Sequence, residues 1–465
     1  MRKLNEKCAV FGAFGQQFDA ARLAFFGLYA LQHRGQEGSG IATSDGEQIH
    51  VYRQPGLVNQ IYTEEVIQSL PGYIAVGHNR YSTSKGSTSD HLQPVVGRDM
   101  QVALAHNGNL PSTKALERFL KTHGIASQNY NDSELMTEAI KYYLTQDKNL
   151  ADAVTLAFPL FTGAFSLVIM TKDTLVAVRD EYGIRPLCLG KLNGGYIVAS
   201  ETCALDTVHA TFIREINPGE MVIINEEGVV SQQLAKPQQK LDIFEFIYFS
   251  RPDSNLLGKN VDAVRKQMGF QLAKETNIKA DIVVPVPDSG ISAAQGYAEA
   301  SGIPYSAAIV KNRYIGRSFI TPEQHMRDMM VRIKLNPIRA AVEGKRIVLI
   351  DDSIVRGTTS PAIIGLLREA GAKEIHFLVS SPPYRYPDFY GMDVPGQEKL
   401  IAFNKTHKEI HAFLGVDSLH YLTYESLIAA TGLPESMFCA SCFTGIYPID
   451  IQERAQEVQQ APAWN

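Results

Sequence analysis

The chain has 465 residues, 45% of them apolar and 20% charged. That is globular composition for roughly two to four domains, and it excludes a disordered chain, a collagen-like fibre and a coiled coil. With 44 basic against 49 acidic residues the formal net charge is −5, which excludes a polycation built for broad binding to nucleic acid or an anionic membrane.

Met-Arg-Lys opens the chain like a signal peptide, but the apolar run behind it, residues 9–15, is short and broken by glycines. Cys8 begins that run in the string CAVFGAFG, residues 8–15, which reads as a strand. A helix follows near 18–32. Alternating or apolar runs at 73–82, 101–110, 174–180 and 221–230 read as strands of antiparallel sheets. Asn131-Asp132-Ser133-Glu134 is a helix start, and apolar helical spacing follows it over 133–145. Residues 153–170 carry no charge over 18 residues, close to membrane-span length. Pro159, Gly163 and the hydroxyls of Thr155, Thr162 and Ser166 interrupt them. They read as a helix end, a turn and a buried strand over 164–170. The first half is therefore α+β, with layered antiparallel sheets and helices.

The segment 231–242 is polar, Gln-rich and contains Pro237, which marks a boundary. Beyond it, strands at 283–286, 346–350 and 375–380 alternate with helices, one of them over 359–370. That rhythm predicts an α/β domain with a parallel, twisted sheet. The division is 8–235, 243–435 and a C-terminal segment 436–465, which reads as a helix or a tail over its last residues. The five cysteines, Cys8, Cys188, Cys203, Cys439 and Cys442, are scattered and odd in number. They read as free thiols in a reducing, cytoplasmic compartment.

The sharpest motif is RIVLIDDSIVRGTTS, residues 346–360. A buried strand ends in Asp351 and Asp352, and Arg356, Gly357, Thr358, Thr359 and Ser360 lead into a helix. Ligands of parallel sheets sit beyond the strand ends, and N–H groups with hydroxyls at a helix start cradle phosphate. Paired acids there suit ribose hydroxyls or hydrated Mg²⁺. The string resembles the phosphoribosyltransferases. The resemblance implies that Asp351 and Asp352 face ribose and metal, that residues 356–360 hold the 5-phosphate, and that PVPDSG (285–290) is a pyrophosphate loop. Asp288 and Ser289 then lie near the diphosphate, with one Mg²⁺ per subunit on Ser289, Asp351 and Asp352. Residues 311–334 carry six basic side chains against two acidic ones. They read as a lid over a polyanion, with Lys311, Arg313 and Arg327 as diphosphate contacts.

In the first half, Cys8 is joined by GLYALQHRGQEGSGI (27–41), HNRYST (78–83), HNGNL (106–110) and NDSE (131–134). Together these resemble the class II glutamine amidotransferases, whose nucleophile is the chain terminus. The resemblance implies that Met1 to Lys7 is a self-cleaved propeptide. A free α-amino group on Cys8, with an ordinary pKa of about 7.7–8.0, then serves as the base. Lys7 stands where those relatives commonly carry an acid. By the same resemblance Asn107 and Gly108 form the oxyanion hole, Arg80 pairs with the α-carboxylate of glutamine and Asp132 with its α-ammonium. Thr83 and Gly35 shape the pocket. His33, His78 and His106 read as scaffold.

Taken whole, and including IYFSRPDS (247–254) and SPPYRYPDFYGMD (381–393), the chain resembles the glutamine phosphoribosylpyrophosphate amidotransferases. These make 5-phosphoribosylamine, the first committed step of de novo purine synthesis, as homotetramers inhibited by purine nucleotides. Many relatives hold a [4Fe-4S] cluster on four cysteines. Two of those positions are Cys439 and Cys442, and the other two align with Asp242 and Asp388. No cluster is expected, since such clusters are normally held by thiolates; mixed Asp/Cys ligation or zinc at the pair stays open. The alternatives are an amidotransferase with another acceptor, and a phosphoribosyl-sensing regulator of purine metabolism. Neither nucleic acid nor membrane is an expected partner.

Overall fold

The computed structural model describes residues 8–80, 91–97, 99, 101–312, 332–392, 396–461 and 464. The strand Ala9–Phe14 is buried along its whole length, so it lacks polar alternation, yet its two faces have different partners. Ala9, Phe11 and Ala13 pack in one core with the helix Ala20–Ala30, while Val10 and Phe14 join another. Among the described residues, this strand is central to a seven-stranded antiparallel sheet. Its order is Thr211–Glu215, Cys188–Leu192, Gly195–Ala199, Ala9–Phe14, Ile74–Arg80, Gly38–Ser44, Ile49–Pro55.

A six-stranded antiparallel sheet stacks on it, in the order Gly228–Gln233, Glu220–Asn225, Leu175–Arg179, Ala164–Met170, Ala103–Asn109, Val95–Val96. Val168 and Met170 enter the core between the sheets, while Phe165, Leu167 and Ile169 pack under the helices Asp132–Leu144 and Leu150–Ala157. Gly12 allows the close approach: a Cβ there would lie 2.7 Å from Val168 Cγ1. The result is helix, sheet, sheet, helix, with every central strand covered on both faces. Residues 153–170 are, as predicted, the end of a helix and a buried strand. Two details differ from the sequence reading. Residues 221–230 form a hairpin rather than one strand, turning at Glu226 and Glu227 with Gly228 at φ +120°. The helix Lys114–Thr122 was not predicted; it is mostly exposed and buries only Leu116 and Leu120.

The second half holds a parallel sheet in the order Ile282–Pro285, Arg346–Asp351, Glu374–Val379, Ser418–Tyr421. Alternate residues of the central strand divide between two cores. Val348 and Ile350 pack with the helices Val261–Glu275 and Ile291–Ser301, and Ile347 and Leu349 with Ser360–Glu369 and His407–Leu414. Gly269 and Gly296 let the first two helices touch backbone to backbone, since a Cβ at either would lie within about 2 Å of a facing carbonyl oxygen. No helix among the described residues is long and apolar enough to cross a membrane.

The halves are joined by buried charge. Arg34, 1% exposed, donates to Glu201 Oε1 at 2.5 Å and to both oxygens of Glu245 at 2.8 and 3.0 Å. Glu245 sits in a π-helical turn, Glu245–Phe249, just after residues 231–242. Arg185, fully buried, donates to Asp242 Oδ2 at 2.8 Å and twice to the Tyr390 carbonyl, at 2.6 and 2.9 Å. The C-terminal segment returns to the joint, where Phe438–Cys439 pairs in parallel with Leu241–Asp242. Ile449 and Ile451 pack there on Ile184 and Tyr390. Removing one partner of a buried pair costs more than the pair contributes, because a charge is left without compensation. Arg34→Met is therefore expected to lose about 3–5 kcal/mol of stability, read as a lower urea midpoint for the whole chain.

Candidate active sites

Cys8 stands at the mouth of the Ala9–Phe14 strand, half-buried, with its carbonyl accepting from Arg34 Nε at 3.4 Å. The neighbouring strand Ile74–Arg80 ends in Arg80, and the second sheet brings up Gly108 on Ala103–Asn109. Asp132 is the first residue of its helix, behind an Asn131 cap that accepts from the Glu134 N–H. These four converge on one cavity of about 280 Å³, with Gln93, His106 and Gly391 also in its wall. The volume suits an amino acid of glutamine's size.

Asn107 is 1% exposed, and neither atom of its amide has a hydrogen-bond partner among the described residues. A buried amide without partners is costly, and an oxyanion formed beside it would satisfy its N–H. Gly108 lies at φ +153°, and a Cβ there would stand 2.0 Å from the Ala164 carbonyl oxygen. Only glycine fits. The Asp132 carboxylate accepts from the N–H groups of Leu110 at 3.2 Å and Ser133 at 2.8 Å. Gly35 is not on the cavity wall. It presses on the backbone of Asn79 and Arg80, where a Cβ would come within 2.7–2.8 Å. Thr83 and residues 1–7 lie outside the described residues.

The histidines behave as scaffold. Burial pushes His78 down to about 3, and its Nε2 meets the His106 carbonyl at 3.1 Å. Burial also lowers His106, whose Nδ1 pairs with Ser133 Oγ at 3.1 Å. His33 pairs with Glu201 at 2.7 Å. The sequence reading missed Gln93, which bridges the sheet to the helix by accepting from the His106 N–H at 2.7 Å and donating to Ser133 Oγ at 3.1 Å. It also missed Gly391. No local pattern marks Gln93, and the 381–393 string that contains Gly391 gives no sign of its place on the cavity.

In the second half, Asp351 ends its strand and Asp352 follows, both more than nine-tenths buried. The 285–290 loop lies against them: Ser289 Oγ donates to Asp351 Oδ1 at 3.3 Å, and Val286 N–H donates to Ile350 O at 2.8 Å. Lys311 Nζ reaches Asp288 Oδ2 at 2.5 Å. Gly357 turns the next loop at φ +68°, and Arg356, Thr358 and Thr359 lead into the helix at Ser360. Thr359 makes no side-chain cap bond, which leaves the first-turn N–H groups for an anion. Two carboxylates and a hydroxyl are hard oxygen donors that fit Mg²⁺. Arg313, Arg327 and most of the predicted lid lie outside the described residues. The flanking strands Ile309–Lys311 and Leu335–Pro337 pair with each other.

Asp242, Asp388, Cys439 and Cys442 gather at the joint, each buried. Burial pushes the Asp242 and Asp388 carboxyls up to about 6, against the pull of Arg185. Arg185 lies 2.8 Å from Asp242 and 3.7 Å from Asp388. Burial also pushes Cys439 up to about 12. Two thiols beside two carboxylates already seated on a guanidinium do not fit a four-thiolate cluster.

Comparison with known proteins agrees with the geometry. Residues 78–207 match a glutamine amidotransferase domain family, and residues 258–388 a phosphoribosyl transferase domain family. An amidophosphoribosyltransferase from Synechocystis is 47% identical over 97% of this chain and 92% of its own length. One from Bacillus subtilis is 43% identical over 97% and 96%. The solved glutamine phosphoribosylpyrophosphate amidotransferase of Bacillus subtilis, complexed with ADP and GMP, superposes with a TM-score of 0.89. It covers 96% of this chain and 98% of its own at 43% identity. The chain belongs to the amidophosphoribosyltransferase family.

The two groups of residues lie in different halves, and burial raises two carboxyls at the joint between them. Asp388 has a raised pKa, so the folded state holds its proton more tightly than the unfolded chain does. That stability is present below the ordinary carboxylate range and is lost as pH rises through about 6. Asp388→Asn stays neutral throughout. Its urea midpoint is expected to gain on the parent's as pH rises, by about 1–3 kcal/mol at neutral pH.

Proposed function

We propose that the chain moves the amide nitrogen of glutamine onto 5-phosphoribosyl 1-diphosphate, giving 5-phosphoribosylamine, glutamate and pyrophosphate, in purine synthesis. The observation that carries this reading is the meeting of Cys8, Arg80, Gly108 and Asp132 on one cavity, in a chain whose other half sets Asp351 and Ser289 beside a phosphate-type helix start.

In the glutaminase half, Arg80 takes the α-carboxylate of glutamine and Asp132 its α-ammonium, which leaves the amide at Cys8. The Cys8 α-amino group, once residues 1–7 are removed, accepts the thiol proton. The sulfur attacks the amide carbon, and the oxyanion falls to the Asn107 amide and the Gly108 N–H. The proton passes to the leaving nitrogen, ammonia departs, and water hydrolyses the thioester to glutamate. In the other half, ammonia attacks the anomeric carbon as the bond to pyrophosphate breaks.

Residues 356–360 hold the 5-phosphate, Asp351 and Asp352 the ribose hydroxyls, and Asp288, Ser289, Lys311, Arg313 and Arg327 the diphosphate. One Mg²⁺, held by Ser289, Asp351 and Asp352 when bound, neutralises diphosphate charge. The halves divide as 8–235 and 243–435, with 436–465 bracing the joint. The five free thiols fit a reducing cytoplasm. Likeness to the ADP- and GMP-bound relative supports inhibition by purine nucleotides, and the family resemblance supports a homotetramer.

The test follows glutamate and pyrophosphate together. The parent protein is expected to release them in equal amounts, dependent on donor and Mg²⁺, and its mass is expected to lack residues 1–7. Cys8→Ala is expected to lose glutamine-dependent activity by about 10³-fold or more while still using added ammonia. Asp352→Asn is expected to lose both activities. Glutamate release that ignores the donor, with no pyrophosphate, would overturn the reading.

A further inference from the structure

We propose that residues 388–391, which belong to the phosphoribosyl half, are a positioning wall of the glutaminase site, and that Gly391 sets where the Gly108 peptide lies. This rests on the function proposed above. The segment lies beyond the stretch matched to the glutamine amidotransferase family, and Phe389, Tyr390 and Gly391 lie just past the stretch matched to the phosphoribosyl transferase family.

Gly391 lines the cavity with Cys8, Arg80 and Asp132. A Cβ built on it would stand 3.0 Å from Gly108 C and 3.1 Å from both Gly108 Cα and O. The two backbones are therefore in direct contact. Gly391 itself sits at φ +111°, where a side chain is strained. Gly108 is confined on its other side, since its own Cβ would lie 2.0 Å from Ala164 O. The Gly108 peptide is thus held between the neighbouring strand Ala164–Met170 and a loop from the other half.

That loop is held from three directions. Asp388 Oδ1 accepts from the N–H groups of Tyr390 at 2.9 Å and Met392 at 3.1 Å. The Tyr390 carbonyl accepts two bonds from Arg185. The Phe389 carbonyl accepts from Asn109 Nδ2 at 2.8 Å, one residue beyond Gly108. A contact this well fixed sets position rather than adding affinity. Oxyanion donors act only at the right place, and a misplacement of order 1 Å costs about 100-fold in rate.

The experiment uses the full-length, processed enzyme. Gly391→Ala is expected to lower the glutamine-dependent kcat by about 10- to 100-fold, with little change in KM for glutamine, because Arg80 and Asp132 are untouched. Ammonia-dependent pyrophosphate release, which uses the other site, stays near the parent rate. Arg185→Lys keeps a cation beside Asp242 but loses the forked grip on Tyr390 O, and the same selective loss of kcat is expected. If Gly391→Ala lowers both activities together, Arg185→Lys decides: selective loss supports the proposal, and an unchanged ratio overturns it. Parent-like glutamine kcat in Gly391→Ala overturns it outright. A parent enzyme that makes no pyrophosphate from glutamine would instead sink the functional reading, so the two failures are distinguishable.

Discussion

The structure depends on two arginines sealed at the joint between its halves. Arg34 and Arg185 leave the amidotransferase half and end on carboxylates at the start of the other, Glu245 and Asp242. Both guanidiniums are sealed from water, and a charge buried that way needs partners that offset its lost hydration. Burial alone would raise the Glu201 carboxyl, yet His33 and Arg34 hold it well below the ordinary range. Asp242 and Asp388 fare differently. Both are buried, and burial outweighs the pull of the one guanidinium they share, Arg185. Those two groups rise to about 6. Such a joint is costly to build and costly to break, which favours one relative placement of the halves over all others.

That placement reaches the chemistry through main-chain atoms. Arg34 also donates to the Cys8 carbonyl, and Arg185 to that of Tyr390. One arginine therefore bears on the residue that opens the Ala9–Phe14 strand and the other on the 388–391 loop. On the far side, the Ser380 N–H donates to Asp351 O at 2.9 Å, and the chain runs from there directly to residues 388–391. A single short stretch thus bonds to the main chain of Asp351 at one end and lines the cavity beside Cys8 at the other. The stretch therefore bears on residues of both halves.

Much of this was legible in the sequence, for local reasons. The 346–360 string states strand, paired acid and helix start within fifteen residues, and each part is a short-range signal. The break of residues 153–170 at Pro159 and Gly163 was equally local. The hairpin at 221–230 was misread because Glu226 and Glu227 look like a polar interruption in one strand. Gly228, which makes the turn, had no partner strand in view. Arg34 lay within a quoted motif, but its role did not, since its carboxylates lie 167 and 211 residues away. Gln93 carries no pattern, and Gly391, although inside the quoted 381–393 string, shows nothing there of its contact with Gly108.

The limit is physical. Periodicity and capping encode what a residue does to its own turn or strand. They do not encode which surface a glycine will be pressed against. Gly108 has no room for a Cβ, and Gly391 has only tight room at a strained φ; the reason for each is a backbone from another part of the chain. A sequence shows such a glycine only as a turn former, whereas here it permits close approach of two backbones. The same holds for Asp242 and Asp388, which the sequence marks only by alignment with the family's cluster positions and which meet at the joint on one buried arginine. Residues whose meaning is a long-range contact are the ones that define how the two reactions are held together.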